Sequence, residues 1–314
     1  MTVVIVTGGA GFIGSHTVEL LLEKGYEVVV VDDFSSGRVE NLKRVLGKVR
    51  LARVDVSKLG ELVEKVRSHV RSGDVLGLVH LAALVSVVEA EEKPWRAIDV
   101  NVKGTLNVLE LARMLDVGVV VYASSAAVYG EPVYLPIDED HPLKPVNLYG
   151  ESKYVGERLV GLYSRRYGLR GVSLRYFNVY GPRMRGGPYA GVIHNFVVRL
   201  LLGDTPIIYG DGNQTRDFVY VTDVAEANIA ALESGAEGVF NIGTGRGVSI
   251  NELYRMLCRV VGYCPIPHYE APRPGDVRRS VASVKRATSM LGWRPRVGLE
   301  EGLRMTVEYY KSTL

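Results

Sequence analysis

Cysteine and histidine, two residue types that often bind metals, are scarce in this sequence of 314 residues. Its two cysteines, Cys258 and Cys264, lack the C-x-x-C spacing of zinc and redox motifs. So few cysteines fit two inert thiols in a reducing cytoplasm, although the sequence also leaves open a disulfide between them. The six histidines show no metal-ligand spacing, and we interpret His80 and His194 as structural. We therefore predict no bound metal.

The sequence also lacks a long apolar run and a marked excess of charge. Without a run of about 18 apolar residues, we expect no transmembrane helix. The chain enters a strand-like segment at Val3 without a basic and apolar leader, so we expect no secretory signal and a cytoplasmic location. The net charge is +3, from 38 basic and 35 acidic residues, with no long basic run. This balance argues against a nucleic acid or a membrane surface as a partner.

Short apolar runs alternate with segments of helical periodicity through the first half of the chain. The runs are continuous, which is typical of parallel strands covered on both faces. We predict at least six parallel strands, at Val3–Thr7, Val28–Asp32, Leu51–Val54, Leu76–His80, Val119–Ser124 and Val172–Arg175. Strands that alternate with helices, the first at Ile13–Lys24, indicate an α/β fold with a Rossmann-type, doubly wound parallel sheet.

The composition changes after about residue 178, where NVYGPRMRGGPYAG is rich in glycine, proline and arginine. Such a segment is typical of loops over a ligand. Beyond it we expect helices at Val192–Leu202, Val224–Ser234, Ile250–Val261 and Leu299–Tyr310. We predict two domains: residues 1–177, to which about 215–235 also belongs, and a smaller, partly discontinuous α/β substrate domain formed mainly by 178–314.

The segment TGGAGFIG lies between the first predicted strand and the first predicted helix. Gly8 permits a tight turn, Gly11 lets the backbone approach a pyrophosphate, and Gly14 lets the helix pack closely on the strand. The helix N-terminus adds free N–H groups and a partial positive charge for phosphates. Strand, turn and helix in this order indicate a dinucleotide cradle rather than a chance glycine cluster.

Acidic and small residues follow the next predicted strands. Asp32 and Asp33 end the second strand, eighteen residues after Gly14. A carboxylate there binds both hydroxyls of an adenosine ribose and repels a 2′-phosphate, which favours NAD over NADP. Asp55 and Val56 follow the third strand and could face the adenine, although a helix N-cap explains Asp55 nearly as well. The fourth strand ends in residues that would let the backbone pass close to the dinucleotide, namely His80, Leu81, Ala82 and Ala83.

The segment YGESK places Tyr149 and Lys153 four residues apart, on one face of a helix. A tyrosine with its ordinary pKa near 10 is a poor base at neutral pH, but a nearby lysine cation favours the phenolate. In YASSAAVYG, Ser124 and Ser125 follow the carboxyl end of a strand, where open parallel sheets bind ligands. With the glycine turn, these residues predict hydride and proton transfer at one alcohol carbon.

These motifs resemble those of the extended short-chain dehydrogenases/reductases and, within that superfamily, of the UDP-galactose 4-epimerases. The resemblance covers nearly the whole chain. Its markers in the first half are TGGAGFIGSH, VDDFSSG, HLAALVSV, NVKGTLNVLE, SSAAVYG and YGESK. Those in the second half are LRYFNVYGPR, QTRDFVYVTDV, FNIGTG and APRPGD. It implies tightly bound NAD and a UDP-sugar substrate.

The resemblance also implies roles for the residues at matching positions. Ser125, Tyr149 and Lys153 match the catalytic residues, with Tyr149 as acid/base. The implied cofactor-binding residues are Gly8, Gly11, Phe12, Ile13, Gly14, Asp32, Asp33, Ser35, Ser36, Gly37, Asp55, Val56, Leu81, Ala82, Ala83, Asn101, Ser124, Tyr149, Lys153 and Tyr176. The implied substrate-binding residues are Val85, Ser125, Tyr149, Asn178, Val192, Ile207, Tyr209, Arg216, Arg273, Asp276 and Ser280.

The implied reaction inverts C4 of the sugar through a 4-keto intermediate, which turns over while the nucleotide stays bound. Arg216 and Arg273 match arginines that grip the diphosphate, a role suited to a guanidinium fork. Ser280 stands where some members of the family carry a tyrosine that crowds the sugar's 2-substituent. A small residue there is expected to admit N-acetylated UDP-hexosamines. A homodimer is also implied, with helices at Thr105–Leu115 and Ser152–Tyr167 paired across its axis.

Three other functions are weighed against this one. A sugar-nucleotide 4,6-dehydratase would need an Asp-Glu pair beside the catalytic serine, where this sequence has Ala126 and Ala127. A UDP-glucuronate epimerase or decarboxylase differs by only a few polar contacts and stays open. A non-catalytic NAD sensor would be expected to lose Tyr149 or Lys153, and both are present.

Overall fold

The computed structural model describes residues 2–184, 186–187, 190–272, 275 and 277–314. Arg273 and Asp276, two of the implied substrate-binding residues, lie outside the described residues. The described strands are β1 (Val3–Thr7), β2 (Glu27–Asp32), β3 (Arg50–Arg53), β4 (Val75–His80), β5 (Val119–Ser125), β6 (Arg170–Tyr176), β7 (Asn178–Tyr180), β8 (Ile207–Tyr209), β9 (Thr215–Tyr220), β10 (Gly238–Ile242), β11 (Gly247–Ser249) and β12 (His268–Glu270). The described α-helices are α1 (Phe12–Glu23), α2 (Leu59–Arg67), α3 (Val87–Glu92), α4 (Pro94–Ile98), α5 (Gly104–Met114), α6 (Leu148–Tyr167), α7 (Val192–Leu201), α8 (Val221–Glu233), α9 (Ile250–Val261) and α10 (Leu299–Lys311).

Seven parallel strands form the central sheet, in the order β3-β2-β1-β4-β5-β6-β10. The first six follow the order 3-2-1-4-5-6 of a Rossmann-type, doubly wound sheet, so the predicted fold class is confirmed. The strand order reverses between β1 and β4. In such sheets ligands bind outside the carboxyl ends of the strands at the reversal. The fold therefore gathers the residues that follow these strands into one crevice.

Helices cover both faces of the central sheet, as the continuous apolar runs predict. In β1, Val4 and Val6 pack into the apolar core on one face, whereas Val3 and Ile5 pack into the core on the other. Helices α1 and α8 line the first face, and α2, α5 and α6 line the second. None of the helices in the described part of the chain combines the length and the apolarity that crossing a bilayer requires.

The chain after β6 builds a further apolar core and also contributes to the core of the central sheet. Strands β11, β9 and β7 form a small sheet, β12 pairs with β8, and α7, α9 and α10 pack around Phe196, Leu253 and Leu303. Between these elements, α8 packs on α1 and β10 extends the central sheet beside β6. These contributions fit a second domain that is discontinuous in sequence. However, the segment of about 215–235, which was predicted to belong to the first domain, includes β9, and β9 belongs to the small sheet. The division into domains stays a prediction.

The two cysteines form a disulfide. The interpretation of two inert thiols is therefore wrong, and the alternative that the sequence left open is observed. Helix α9 ends at Gly262, whose left-handed φ of 81° reverses the chain after Cys258. This reversal brings Cys264 back to the helix end, because glycine adopts the left-handed conformation without a Cβ clash.

Helix α6 approaches β5 so closely that the contact tolerates no side chain at Gly156. A Cβ at this position would overlap the hydroxyl and ring carbons of the fully buried Tyr122. We predict that Gly156→Ala lowers the free energy of unfolding by about 2 kcal/mol. Gly161→Ala on the same helix is the matched control, because its Cβ would meet only the mobile end of Arg165.

The control should stabilise the protein by about 0.5–1 kcal/mol, since alanine favours a helix more than glycine does. Denaturant unfolding of both variants measures these changes. Equal effects of the two substitutions would show that α6 does not press on β5 in this way.

Candidate active site

The glycine turn between β1 and α1 is built by close backbone contacts. Gly8 has a φ of 69°, and its N–H donates to the Val31 carbonyl at 2.7 Å. A Cβ on Gly8 would lie 2.7 Å from the Ala82 nitrogen, and one on Gly14 would overlap the Gly8 carbonyl. Helix α1 begins after Gly11 with neither a side-chain cap nor an acid in its first turn. Its first turn therefore carries no side-chain cap or carboxylate that would compete with an anion, which fits a pyrophosphate.

Asp32 closes this turn against β2. Its carboxylate is buried and accepts the N–H of Ala10 at 2.9 Å and of Phe34 at 2.8 Å. A Cβ on Gly37 would lie 2.7 Å from the same carboxylate. Burial raises the pKa of Asp32, because it disfavours the charged form. Each carboxylate oxygen accepts more than one hydrogen bond, so Asp32 keeps acceptor capacity for ribose hydroxyls.

The neighbouring acids share a cation that the sequence did not reveal. Arg96, on α4, lies 3.3 Å from a carboxylate oxygen of Asp33 and 3.3 Å from one of Asp55. Asp33 also accepts the Ser35 N–H, and Asp55 accepts the Ser57 N–H in a local turn. No pattern near residue 96 indicates this role, because it depends on the fold bringing α4 close to the residues that follow β2 and β3.

Other implied cofactor residues lie around the same edge with their polar groups engaged. Asn101 sits in a π-helical turn, Asp99–Lys103, and accepts the Leu84 N–H at 2.8 Å. Its amide group donates to the Leu84 carbonyl at 3.0 Å and to the Ser152 hydroxyl at 2.9 Å. Asn101 therefore ties the chain after β4 to α6. Val56 is buried and contacts Gly104, which the sequence did not predict.

The three implied catalytic residues meet where β5 ends and α6 begins. Asn147 caps α6 by accepting the Gly150 N–H at 2.8 Å, which places Tyr149 in the first turn. The spacing of Tyr149 and Lys153 predicted that both lie on a helix, whereas the dimer helix implied by the resemblance began later, at Ser152. Lys153 follows one turn along, and its ammonium donates to the Ala123 carbonyl at 2.8 Å. Its nitrogen lies 5.9 Å from the centre of the Tyr149 ring.

Burial shifts the ionisation of both groups on α6. Burial raises the pKa of Tyr149, while a hydrogen bond from Ser125 lowers it in part. Burial also lowers the pKa of Lys153 to about 7. The arrangement places a phenol and an amine that ionises near neutral pH in one buried volume, which is the equipment of a general acid/base.

The implied substrate residues flank this point from the second half of the chain. Tyr176, which is implied to bind the cofactor, is the register partner of Ser125, and its hydroxyl donates to Asn228 at 2.5 Å. Asn178 opens β7, which pairs with β9, the strand of Arg216. The Ser280 N–H donates to the Thr215 carbonyl at 3.1 Å, so Ser280 lies beside that strand.

The remaining implied substrate residues lie on several different segments. Ile207 and Tyr209 lie on β8, and Val192 begins α7. Val85 is 53 % exposed. No observation here gives these side chains a ligand, so their binding roles stay predictions.

Asp217 organises this region, and the sequence analysis missed it. It is fully buried, and its carboxylate accepts the Thr244 N–H at 2.7 Å, the Gly245 N–H at 2.9 Å and the Ala282 N–H at 3.0 Å. It therefore ties the segment that contains Ser280 to β9. The sequence shows Asp217 only as part of the QTRDFVYVTDV motif.

A chain of hydrogen bonds through His80 joins the glycine turn to the helix side of the crevice. Thr7 pairs with His80 Nδ1 at 2.7 Å, and His80 Nε2 pairs with Thr105 at 3.1 Å. The Thr105 hydroxyl donates to the Asn101 carbonyl at 2.6 Å, and the Ala82 N–H donates to Thr7 at 3.3 Å. One neutral tautomer, with the proton on Nε2, satisfies all four bonds. This agrees with a structural role for His80.

Burial lowers the pKa of His80 to about 3, with the charge of Lys153 as a lesser cause. The unfolded chain, with an ordinary pKa near 6.5, binds more protons than the folded chain between these values. Stability must therefore fall as the pH drops below about 6.5. We predict that His80→Gln flattens this fall by up to about 1.4 kcal/mol per pH unit.

Denaturant unfolding between pH 4 and 7 measures the slope, with the exposed His268→Gln as the matched control. Parallel curves for the wild type and His80→Gln would contradict a neutral, buried His80.

Comparison with known proteins gives this geometry a family. Residues 4–243 match the NAD dependent epimerase/dehydratase family. The chain is 44 % identical over 310 residues to a putative UDP-glucose 4-epimerase of Methanocaldococcus jannaschii, covering 98 % of each chain. It superposes with a TM-score of 0.94 and 42 % identity on the UDP-glucose 4-epimerase of Thermotoga maritima bound to UDP-glucose, covering 99 % of each chain.

A third relative differs in its sugar. The UDP-N-acetylglucosamine 4-epimerase of Methanobrevibacter ruminantium, in complex with UDP-N-acetylmuramic acid, superposes with a TM-score of 0.93. It is 35 % identical and covers 100 % of this chain and 99 % of its own. The family match and the similarity over full length confirm the resemblance seen in the sequence. The chain belongs to the NAD dependent epimerase/dehydratase family.

Proposed function

We propose that this protein interconverts UDP-galactose and UDP-glucose by inverting C4 of the sugar. The observation that carries the proposal is the meeting of Ser125, Tyr149 and Lys153 at one end of β5, beside a glycine turn that fits a pyrophosphate. The relatives named above support the choice of a UDP-sugar. The same proposal includes a place in galactose metabolism.

The residues present fit NAD as a resident cofactor. The first turn of α1 would hold the pyrophosphate, and Asp32 would hold the adenosine ribose. Lys153 and Tyr149 would face the nicotinamide end. When bound, NAD supplies an acceptor for the hydride of C4 and the donor that returns it. Because the hydride comes back, the cofactor is not consumed and should copurify with the protein.

The chain itself handles the proton. Tyr149 as phenolate takes the proton of the 4-hydroxyl, and it returns the proton when C4 has been inverted. The hydrogen bond of Ser125 favours the phenolate, because it lowers the pKa of Tyr149. A positive charge on Lys153, 5.9 Å from the ring centre, acts in the same direction. Burial opposes both effects, because it raises the pKa of Tyr149. The positive charge of bound NAD is therefore proposed to add to that of Lys153 in favouring the phenolate.

Inversion requires that the 4-keto sugar presents its other face while the nucleotide stays bound. Arg216 lies on β9 and is proposed to hold the diphosphate, since a guanidinium pairs with phosphate oxygens through two parallel bonds. Arg273, the second implied arginine, lies outside the described residues. The grip is thus proposed to come from β9 and its neighbours, and the sugar itself is left free to turn.

Turnover without added cofactor tests this proposal. Purified protein incubated with UDP-galactose should yield UDP-glucose, as resolved by chromatography. Tyr149→Phe should retain bound NAD but lose about 10²–10⁴-fold in kcat, because it removes the acid/base group. Tyr154→Phe on the same helix is the matched control.

Near-normal turnover by Tyr149→Phe would remove Tyr149 as the base. A wild type silent on UDP-galactose but active on UDP-galacturonate would favour the uronate alternative. Silence on both, with NAD still bound, would refute the proposed substrate.

A second candidate is the 4-epimerisation of UDP-N-acetylhexosamines. It rests on Ser280, a small residue held beside β9 by the bond of its N–H to Thr215, and on the Methanobrevibacter ruminantium relative. We expect UDP-N-acetylgalactosamine to be converted as well. Ser280→Tyr should lower kcat/KM for the N-acetylated substrate at least tenfold and that for UDP-galactose less than threefold. Equal losses on both substrates would show that residue 280 does not face the 2-substituent.

A homodimer is proposed through α5 and α6. Leu106 on α5, and Val155 and Leu162 on α6, are apolar and exposed at 38–49 %. Val155 and Leu162 are seven residues apart and share one helix face. Sedimentation velocity tests this proposal, with a dimer expected and a concentration-independent monomer against it. The cytoplasmic location expected from the sequence stays a prediction, which fractionation of the source cells would test.

A further inference from the structure

We propose that Glu157 is a positioning residue for the reaction, because it fixes how the end of β5 lies against α6. The inference rests on the proposed function, since it acts through Ser125 and Tyr149. Glu157 follows Lys153 by one helical turn and is buried. Both of its carboxylate oxygens accept hydrogen bonds from neighbouring side chains, so Glu157 is not itself proposed to touch the substrate.

Each of the last three residues of β5 interacts with a different turn of α6. The Ala123 carbonyl accepts from Lys153 at 2.8 Å, and the Ser124 hydroxyl donates to Glu157 at 2.5 Å. Ser125, the last residue of β5, acts on Tyr149, because its hydroxyl lowers the pKa of the phenol. The three interactions follow one another along the strand. A slip at the middle one would therefore change the separation of the reacting pair at the end.

The middle bond is held rigid by an ion pair with the next strand. Arg175, the register partner of Ser124 on β6, donates to both Glu157 oxygens at 2.8 and 2.7 Å. Its remaining nitrogen donates to the Tyr129 hydroxyl at 2.9 Å, which donates to Asn241 at 2.7 Å. The hydrogen bonds that join Glu157 to Arg175 and Arg175 to Tyr129 are buried, and the low dielectric of the protein interior strengthens them.

Stability alone does not explain such a pair. Both side chains are buried, at 3 % and 5 % exposure, and the cost of desolvating two charges commonly cancels their attraction. An apolar pair of the same volume would hold β6 against α6 at least as well. It would not accept the Ser124 hydroxyl, however, and that bond is what connects the pair to the strand of Ser125. The geometry therefore assigns the pair to the placement of Ser125.

Ser124→Ala isolates this effect, because it removes the bond to β5 and leaves the ion pair and every charge in place. The groups that face Tyr149 are Lys153 on its own helix, Tyr122 on β5 and Tyr176 on β6, and the substitution alters none of them. If Ser125 shifts, Tyr149 loses the hydrogen bond that lowers its pKa. The acid limb of the kcat profile must then move to higher pH.

Ser124 is implied to bind the cofactor, but its hydroxyl is buried and bonded to Glu157. We therefore expect Ser124→Ala to lower kcat about tenfold, with KM for UDP-galactose and the NAD content within twofold of the wild type. Ser173→Ala, a buried serine on β6 outside this network, is the matched control and should leave all three unchanged. Glu157→Gln should lower kcat further and also lower Tm, because Arg175 loses its charged partner. A spectroscopic titration of Tyr149, read as the difference from Tyr149→Phe, should show a raised pKa in Ser124→Ala.

Two results would overturn the inference. One is a kcat and an acid limb in Ser124→Ala equal to those of Ser173→Ala. The other is a loss confined to KM or to NAD content, which would make Ser124 a binding residue. A wild type without epimerase activity would instead refute the proposed function, and the Tyr149 titration would still report whether Ser124 positions Ser125.

Discussion

The close approach of α6 to β5 is the constraint on which the rest of the site depends. Gly156 lets the helix lie directly on Tyr122, with no room for a methyl group between them. At that distance Lys153 donates to the Ala123 carbonyl, and Tyr149 lies close enough to Ser125 for the serine hydroxyl to lower its pKa. A helix lying farther from the strand would put the phenol and the amine beyond reach of the strand end. The chemistry is thus a consequence of backbone packing before it is one of side-chain choice.

Buried polar groups hold this packing in register. His80 links β1 to α5, Asn101 links the chain after β4 to α6, and Asp217 links β9 to the segment of Ser280. Each is enclosed and bonded on more than one side, so moving any of the joined segments would leave a buried group unpaired. Such a loss costs about 1–3 kcal/mol for each group. The apolar cores give the fold its stability, whereas these groups specify where its loops and strand ends lie.

Much of the fold and part of the site could be predicted from the sequence, because the signals are local. The apolar run at Val3–Thr7 and the glycines that follow it define a strand and a turn within a few residues. The spacing of Tyr149 and Lys153 places them on one helix face without any knowledge of the fold. The alternation of strands and helices predicts a doubly wound sheet, and the observed order of β1 to β6 belongs to that class.

The residues that the sequence did not reveal act across long distances in the chain. Arg96 serves Asp33 and Asp55, and Arg175 neutralises Glu157; these pairs exist only once the strands are aligned. The disulfide is a local exception: it depends on the turn at Gly262, which the spacing of the two cysteines did not predict. Residue patterns therefore predict chemistry that lies within one element, and the partners that fix its position require the tertiary structure.

In the proposed reaction, C4 of the sugar loses a hydride and later regains the same hydride within one site. UDP-galactose carrying deuterium at C4 tests it most directly, with protein that holds only the NAD it was purified with. If the hydride returns to the carbon that it left, the UDP-glucose formed carries deuterium on C4, with none in water and none in unlabelled NAD added to the solution. Product without the label, or label in the solvent, would contradict a hydride that leaves and returns at the crevice beside Tyr149.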